Sequence, residues 1–523
     1  MISSNGYPNL RTAIVLFVGV FLSATHASAS VEISSNPTNN MNCTGGVCAP
    51  TAKNADLNAT DLANMLASSD VKVVTGAGAV TITVSGPFSW TSTHRLTLDA
   101  NVSVSFRAAV EVTGQGAVTI VTNDGGSGGD LVFFEGGKLD FWDLGSSLII
   151  NGDVFTLESD FASLVNAATA NPSGEFALAK DGNAGGASEI ETFLGKFDGL
   201  GHEISHLRVR AHKFQIGQNS EFRREDKTIG AGMFGYLDGE VRNVRLNSVS
   251  ISDHLNIRQG RYPEVFLGGI AAFADEASIV DNVYVSGVVG SVDTSQFAYA
   301  GGLLGEGRGT VSRSSADVSV GCREDCIAGG LVGLGSGAIR LTSAFGTVEC
   351  QDHCGAGGLV GAGGGVIDQS YSEVAVTAMG DQNTYAYAGG FAGGGFSGAV
   401  FNSYAIGSAT ASTYAGGLCG GCQPSVNSFY SLVAVGHAAS SGGVIGWSGG
   451  FGIAADAYWD LDTSGISDPH QGAGDIPDYP GITGLTDTQL KSGLPSGFDP
   501  AIWGQKKNVN NGYPYLLANP PPQ

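Results

Sequence analysis

Ala300-Gly-Gly-Leu-Leu-Gly305, Ala328-Gly-Gly-Leu-Val-Gly333, Ala356-Gly-Gly-Leu-Val-Gly361, Ala388-Gly-Gly-Phe-Ala-Gly393 and Ala415-Gly-Gly-Leu-Cys-Gly420 are near-copies of one phrase, and Ser441-Gly-Gly-Val-Ile-Gly446 opens a sixth. Their starts lie 28, 28, 32, 27 and 26 residues apart. A period of this length means one supersecondary unit stacked on copies of itself. Between the phrases the apolar runs are short, β-branched and bounded by Gly and Ser, as in Val318-Ser-Val320. That is strand patterning; no i, i+3, i+4 series lasts long enough for a helix.

Adding the period exposes columns. Leu303, Leu331, Leu359, Phe391, Leu418 and Val444 form one. Val311, Ile339 and Ile367 form a second, and Val320, Val348 and Val376 a third. The column Gly305, Gly333, Gly361, Gly393, Gly420 and Gly446 is glycine throughout, which fits either a positive-φ turn or a place too tight for a Cβ. Strands stacked at about 4.8 Å would put each column in register. The fold class expected is therefore all-β: a parallel β-helix, right-handed as nearly all parallel crossovers are, with short helical insertions and a C-terminal cap. A long repetitive face of this kind usually binds rather than catalyses.

Outward from the repeats, the chain divides at 1–29, 30–55, 56–155, 156–230, 231–455 and 456–523. Arg11, the apolar run Thr12–Ser23 and Ala27-Ser28-Ala29 read as a secretory signal, so the mature chain begins near Ser30. Residues 30–55, polar and Asn-rich, read as a linker or N-terminal cap. Residues 56–155 carry short alternating strands such as Val80-Thr-Ile-Thr-Val84, fitting further coils with looser repetition. Asn58–Ser69 and Asp160–Ala170 read as helices within 56–230, and 156–230 as a helical insertion with lead-in strands. Residues 231–455 hold the repeats. Residues 456–523, rich in aromatics and prolines, read as a cap over the last coil with a loose tail.

The formal charge is −23, with only 14% charged residues and 81 glycines among 523. Such an acidic surface speaks against nucleic acid and anionic membrane as partners. No segment after the signal reaches 18 apolar residues, so integral insertion is not expected. The eight cysteines fall in four close pairs: Cys43/Cys48, Cys322/Cys326, Cys350/Cys354 and Cys419/Cys422. In an exported chain they point to disulfides. Cys322 and Cys350 are one coil apart, as are Cys326 and Cys354, so bonds within a turn and bonds between turns are both open. A four-thiolate zinc site is the rival reading.

The phrase A-G-G-[LF]-[VLA]-G followed by a strand resembles the GLUG repeat of bacterial surface proteins, among them filamentous-haemagglutinin-like adhesins and some immunoglobulin-A peptidases. Phe193-Leu-Gly-Lys-Phe-Asp-Gly-Leu-Gly201 with the strand to Val209 is similar to the lead-in of such repeats. The coils near Asp56-Leu-Asn58 and Pro87–Ala100, and the stretch from Tyr458-Trp-Asp460 to Leu516, resemble haemagglutinin-type passengers. The resemblance implies a secreted or surface-exposed, non-catalytic adhesin without cofactor or metal. It would meet a host or environmental glycan or a matrix protein, after export through Sec with the help of an outer-membrane secretion partner; without such a route it would stay in the periplasm. A purely structural cell-surface scaffold is an alternative. The expected contact residues are coil aromatics: Tyr371, Tyr385, Tyr387, Tyr404 and Tyr414.

Two motifs invite a hydrolase reading. His202-Glu203-Ile-Ser-His206 is a literal HExxH, with His212 at the third-ligand spacing of a zinc peptidase. Gly199 and Gly201 stand where its helix would run, and Leu207, Val209 and Ala211 alternate with Arg208, Arg210 and His212 as in a strand. Gly446-Trp-Ser448-Gly-Gly450 fits a nucleophile elbow, but no helix is legible after it. A polysaccharide-active β-helix would need carboxylates grouped on one face. Asp317, Glu324, Asp325, Glu349, Asp352, Asp368 and Glu373 read instead as a scattered solvated rim, with no calcium-loop spacing.

Overall fold

The computed structural model describes residues 30–76, 79–213, 229–253, 264–291, 297–381, 384–436, 438–450 and 452–522. The secretory-signal reading of residues 1–29 lies outside them. The described chain is mostly strand, and nearly all strand pairs are parallel. No described helix is long and apolar enough to cross a membrane.

Two stacks follow one another. In the first, each coil has three strands. Thr81–Val84, Phe88–Trp90 and Arg95–Asp99 make one coil. Ser103–Phe106, Ala109–Val112 and Ala117–Val121 lie on it in parallel register. Leu131–Phe133, Lys138–Phe141 and Ser147–Ile150 make the next. Alternate residues point inward, so Val84, Phe106 and Phe133 stack, and the last two rings lie 4.6 Å apart. Helix α1 (Ala59–Leu66) stands in for a strand at the front of this stack. Asn58 caps it by accepting from the Thr60 and Asp61 N–H groups, and Leu62 and Leu66 are buried.

Within the region read as a linker or cap, Ser30–Ser34 is a core strand. It lies between Ala55–Asn58 and Thr81–Val84, with Val31 opposite both Ala55 and Ile82. Only Val31 and Ile33 face inward, too short an alternation to stand out among Ser and Asn. The hairpin Met41–Thr44/Val47–Pro50, closed by Cys43–Cys48, follows it.

The antiparallel pair Leu148↔Phe155 ends the first stack. Helix α2 (Phe161–Ala170) then begins with a capping box between Asp160 and Ser163 and buries Phe161, Leu164 and Ala168. The second stack has four strands per coil; Cys326–Gly329, Val332–Gly335, Ala338–Arg340 and the long Ser343–Gln351 form one. The columns read from the period are real. Val311, Ile339 and Ile367 are register partners, as are Val320, Val348 and Val376. Leu303 donates its N–H to Leu331, Leu331 to Leu359, Leu359 to Phe391, Phe391 to Leu418 and Leu418 to Val444. All six are buried. The glycine column takes no positive φ. An ideal Cβ on Gly361 would lie 2.6 Å from the Gly333 carbonyl oxygen, so closeness of backbones is the cause.

The C-terminal region covers the last coil only in part. Ala473 bridges Ile445, and Ile482–Leu485 pairs with Ile453–Asp460, closing the end over the fully buried Trp459. Residues 486–519 instead turn back along the side of the stack. Helix α3 (Asp487–Leu490) and the ribbon Trp503–Gln505/Pro514–Leu516 lie over Tyr371, Tyr404, Tyr430 and Tyr458, one ring per coil. Tyr430 donates to the Pro514 carbonyl at 2.6 Å, and Asn519 Nδ2 donates to the Thr342 and Gln369 carbonyls.

Three substitutions test this architecture. Gly361→Ala forces backbone apart and is expected to lower stability by about 1–3 kcal/mol. Gly321→Ala, where a Cβ meets nothing within 4 Å, is expected to leave the melting temperature nearly unchanged. Trp503→Ala removes a fully buried anchor of the strap, a loss of about 3–5 kcal/mol locally. Limited proteolysis is expected to release the C-terminal segment while the far-ultraviolet β signal persists.

Candidate functional site

The five tyrosines proposed as contacts separate into two groups. Tyr371 and Tyr404 are corrected to core residues: they are 2% and 0% exposed beneath the strap, stacked at 4.8 Å with Tyr430 next in line at 5.1 Å. Their exposure could not be judged from the coils, because the segment that covers them lies about a hundred residues later.

Tyr385, Tyr387 and Tyr414 do come together on an outer face. Tyr387 and Tyr414 are register partners with centroids 5.1 Å apart, and Tyr385 stacks on Tyr414 at 6.3 Å. Trp447 continues the ladder 5.9 Å beyond Tyr414. Tyr385 is 54% exposed and Trp447 40%. The floor is glycine: an ideal Cβ on Gly394 or Gly421 would come within 2.8 or 2.7 Å of the Tyr387 ring. The aromatic ring therefore lies directly on the backbone of the neighbouring sheet. Trp447 stands just past the sixth phrase, and its place in the ladder was legible by adding 33 residues to Tyr414 only once the register was known.

The eight cysteines form four disulfides: Cys43 with Cys48, Cys322 with Cys326, Cys350 with Cys354 and Cys419 with Cys422. Cys322 and Cys350 are register partners, yet each bonds across its own corner, to Cys326 and Cys354. In the next coil the same corner carries Ala378 and Ala386. Cys419 bonds Cys422, the close pair expected from the sequence. Both residues belong to one strand, Cys419–Cys422, and both are buried in the core. Cys419 stands opposite Ala392 and Ile445, and Cys422 opposite Phe396, so neither meets a cysteine of another coil. No described cysteine is free for a thiolate metal site.

The HExxH residues form a strand and turn, not a helix. Glu203–Ser205 is extended and His206 sits at φ 58°. The His202 ring is fully buried, 3.0 Å from the Leu139 carbonyl and 3.3 Å from Asp181. In the nucleophile-elbow match, Ser448 donates to Asp475, while His470 pairs with Asp478. Ser448 and His470 thus serve separate turns.

A cluster of paired charges was missed by the sequence reading. They lie in the seam where the last coil of the first stack leans on the second. Arg242 and Arg313 both reach Asp281, at 2.8 and 2.5 Å, and Arg313 also binds Asp130 at 2.7 Å across the seam. Asn282 donates to the Phe133 carbonyl. A cavity of about 260 Å³ beside them is lined by Asp130, Asp153, Lys196, Asp198, Glu240 and Arg242 among others. Burial pushes Asp198 up to about 6, against the hydrogen bonds it accepts from Leu200 N–H and Asn243. Burial likewise raises Asp181, but hydrogen bonds from His202, Lys138 and the Glu203 N–H outweigh it and hold that carboxyl well below the usual range. These residues span 130 to 313, so no local motif announces them. A second seam cavity, of about 200 Å³, is lined by Lys138, Glu203, Arg245, Tyr284 and Arg313, among others.

His212 joins neither His202 nor His206. It pairs with Glu189 at the head of the second stack, Nε2 to Oε1 at 3.0 Å, with Glu191 3.9 Å away. Arg208 and Arg210 line the same opening. Burial pushes Glu189 up to about 8; repulsion from Glu191 adds to this, and the Gly232 N–H works against it.

No protein-family model and no curated protein matches the chain. Among solved structures, the chain is similar to a protein from Bacteroides ovatus designated an immunoglobulin A1 protease, at 16% identity over 70% of this chain and 93% of that one. The TM-score is 0.33, too low for that likeness to carry an argument about fold or activity.

Glu189 gives a pH test with a definite sign. Its folded value lies above the ordinary 4.5, so the stability it supports is complete below pH 4.5 and is lost as pH rises toward about 8. Glu189→Gln is expected to flatten the fall in melting temperature across that window. An unchanged slope in thermal scans from pH 4.5 to 8 would remove this role.

Proposed function

We propose that the protein is an exported, surface-exposed, right-handed parallel β-helix of the GLUG-repeat kind that binds by its extended face and does not catalyse. The observation that carries this reading is the open ladder of Tyr385, Tyr387, Tyr414 and Trp447 on a glycine floor. Stacked rings that remain half in water cover apolar area without closing it, a feature of contact surfaces. Four disulfides fit an oxidising compartment. The ligand class is a glycan or a matrix protein of a host or the surroundings, held weakly at many places along one molecule. An outer-membrane partner would complete export.

The second reading is a polysaccharide-active enzyme. It is favoured by the grouped carboxylates of the acidic seam cavity, with Asp198 raised toward neutrality. The zinc-peptidase form of the enzyme reading draws no support from the strand at Glu203–Ser205.

Protease added to intact cells is expected to digest the protein, with a periplasmic marker protected. Complete protection, with none in the medium, would end the surface reading. Against immobilised glycans and matrix proteins, Trp447→Ala and Tyr385→Ala are each expected to weaken binding about five- to tenfold, the worth of one aromatic contact. Binding that survives both changes would place the contact face elsewhere.

A further inference from the structure

The two seam cavities carry opposite charge. One gathers Asp130, Asp153, Asp198 and Glu240 against Lys196 and Arg242. The other gathers Lys138, Arg245 and Arg313 against Glu203 alone, in a chain whose net charge is −23. Its cations are not equivalent. Lys138 is committed to Asp181, and Arg313 to Asp130 and Asp281. Arg245 has no carboxylate and no hydrogen-bond partner for its side chain among the described residues. Its guanidinium instead lies over the Tyr284 ring, 4.4 Å from the centroid. The one acidic group in the lining is occupied: Glu203 accepts from Asn247 Nδ2 at 3.1 Å.

We propose that this basic seam cavity binds a carboxylate-bearing sugar, a single uronic-acid unit, with Arg245 as its anchor. A half-buried guanidinium resting against an aromatic ring, with no carboxylate of its own, offers a fork suited to two parallel N–H···O bonds to a planar carboxylate. No residue of the lining belongs to a helix, so the helix N-terminus that commonly seats a phosphate is missing here. Phe133, Phe134 and Tyr284 supply apolar faces beside the charges, and Ser315 a hydroxyl, the mixture a ring with one apolar face and a rim of hydroxyls requires. The volume of about 200 Å³ suits one ring, not a bundle of chains. The walls come from both stacks, Phe133 to Lys138 from the first and Gly201 to Ser315 from the second, so the ligand would also bridge the seam.

The site is independent of the aromatic ladder and does not rest on the adhesin reading. Isothermal titration of the full chain with D-glucuronate, D-glucose and inorganic sulfate tests it. Glucuronate is expected to bind one per chain, at least tenfold more tightly than glucose or sulfate. Arg245→Gln is expected to weaken it at least tenfold with the melting temperature unchanged, Arg245→Lys to recover only part, and Trp447→Ala to have no effect. If Arg245→Gln lowers the melting temperature, Ser315→Trp, which fills the cavity and keeps Arg245, is expected to abolish binding instead. Sulfate binding as tightly as glucuronate would reduce the site to a simple anion hole and overturn the sugar assignment. Equal binding of glucose, no binding at all, or full binding by both Arg245→Gln and Ser315→Trp would overturn the site itself.

Discussion

Everything in this molecule depends on backbone placed directly above backbone. In the second stack each coil hydrogen-bonds to the next in parallel register, so a residue type chosen once must be acceptable at every level above and below. Inward columns must be apolar: Val311, Ile339 and Ile367 exclude water together or not at all. Where strands of neighbouring faces approach within contact, even a methyl group is too large, and glycine recurs at Gly305, Gly333 and Gly361. The high glycine content is thus a packing requirement. It does not signal a loose chain, because none of these three takes the left-handed conformation that glycine alone permits freely.

The same register lays out the exterior. An outward column has no obligation to be apolar, so it is free to vary by coil, and the chain uses that freedom. On one face tyrosines occur at Tyr371, Tyr404, Tyr430 and Tyr458, where the returning C-terminal strap needs a floor. On another face Tyr387 and Tyr414 occupy one column and stay open. On a third, the column Asp198, Arg242, Asp281 is charged where the first stack docks. Removing two charges from water is costly unless each finds partners, and the forks of Arg242 and Arg313 share Asp281 and Asp130 for that purpose. The seam is therefore specific, and it leaves two polar cavities beside it.

The legibility of these features followed their periodicity. The repeating columns, the strand character of the stretch after His202 and the two longer helices, with Asn58 and Asp160 as caps, could be read because each depends on neighbours in sequence. Ser30–Ser34 could not: two inward residues, Val31 and Ile33, carry too little pattern, and the strand takes its place by pairing with Ala55–Asn58 and Thr81–Val84 on either side. Disulfide pairing was open for a related reason. Cys350 lies one coil from Cys322 and one corner from Cys354, and both are near in space. Cys419 and Cys422 had no such rival, since the coils on either side place Ala392, Ile445 and Phe396 opposite them.

What the sequence by itself determined was the repeat, its all-β character and the identity of the residues that line the core, because a period acts through every copy at once. Which tyrosines meet water, which cysteine meets which, and which charges face each other were decided only in the tertiary structure. The tyrosines and the charges depend on contacts that the period does not repeat, the strap over Tyr404 and Arg313 against Asp130; the corner at Cys354 repeats the one at Cys326, and there the fold chose between a partner in the same coil and one in the next. A contact made once leaves no period to read, and its partners are brought together only by the path of the folded backbone.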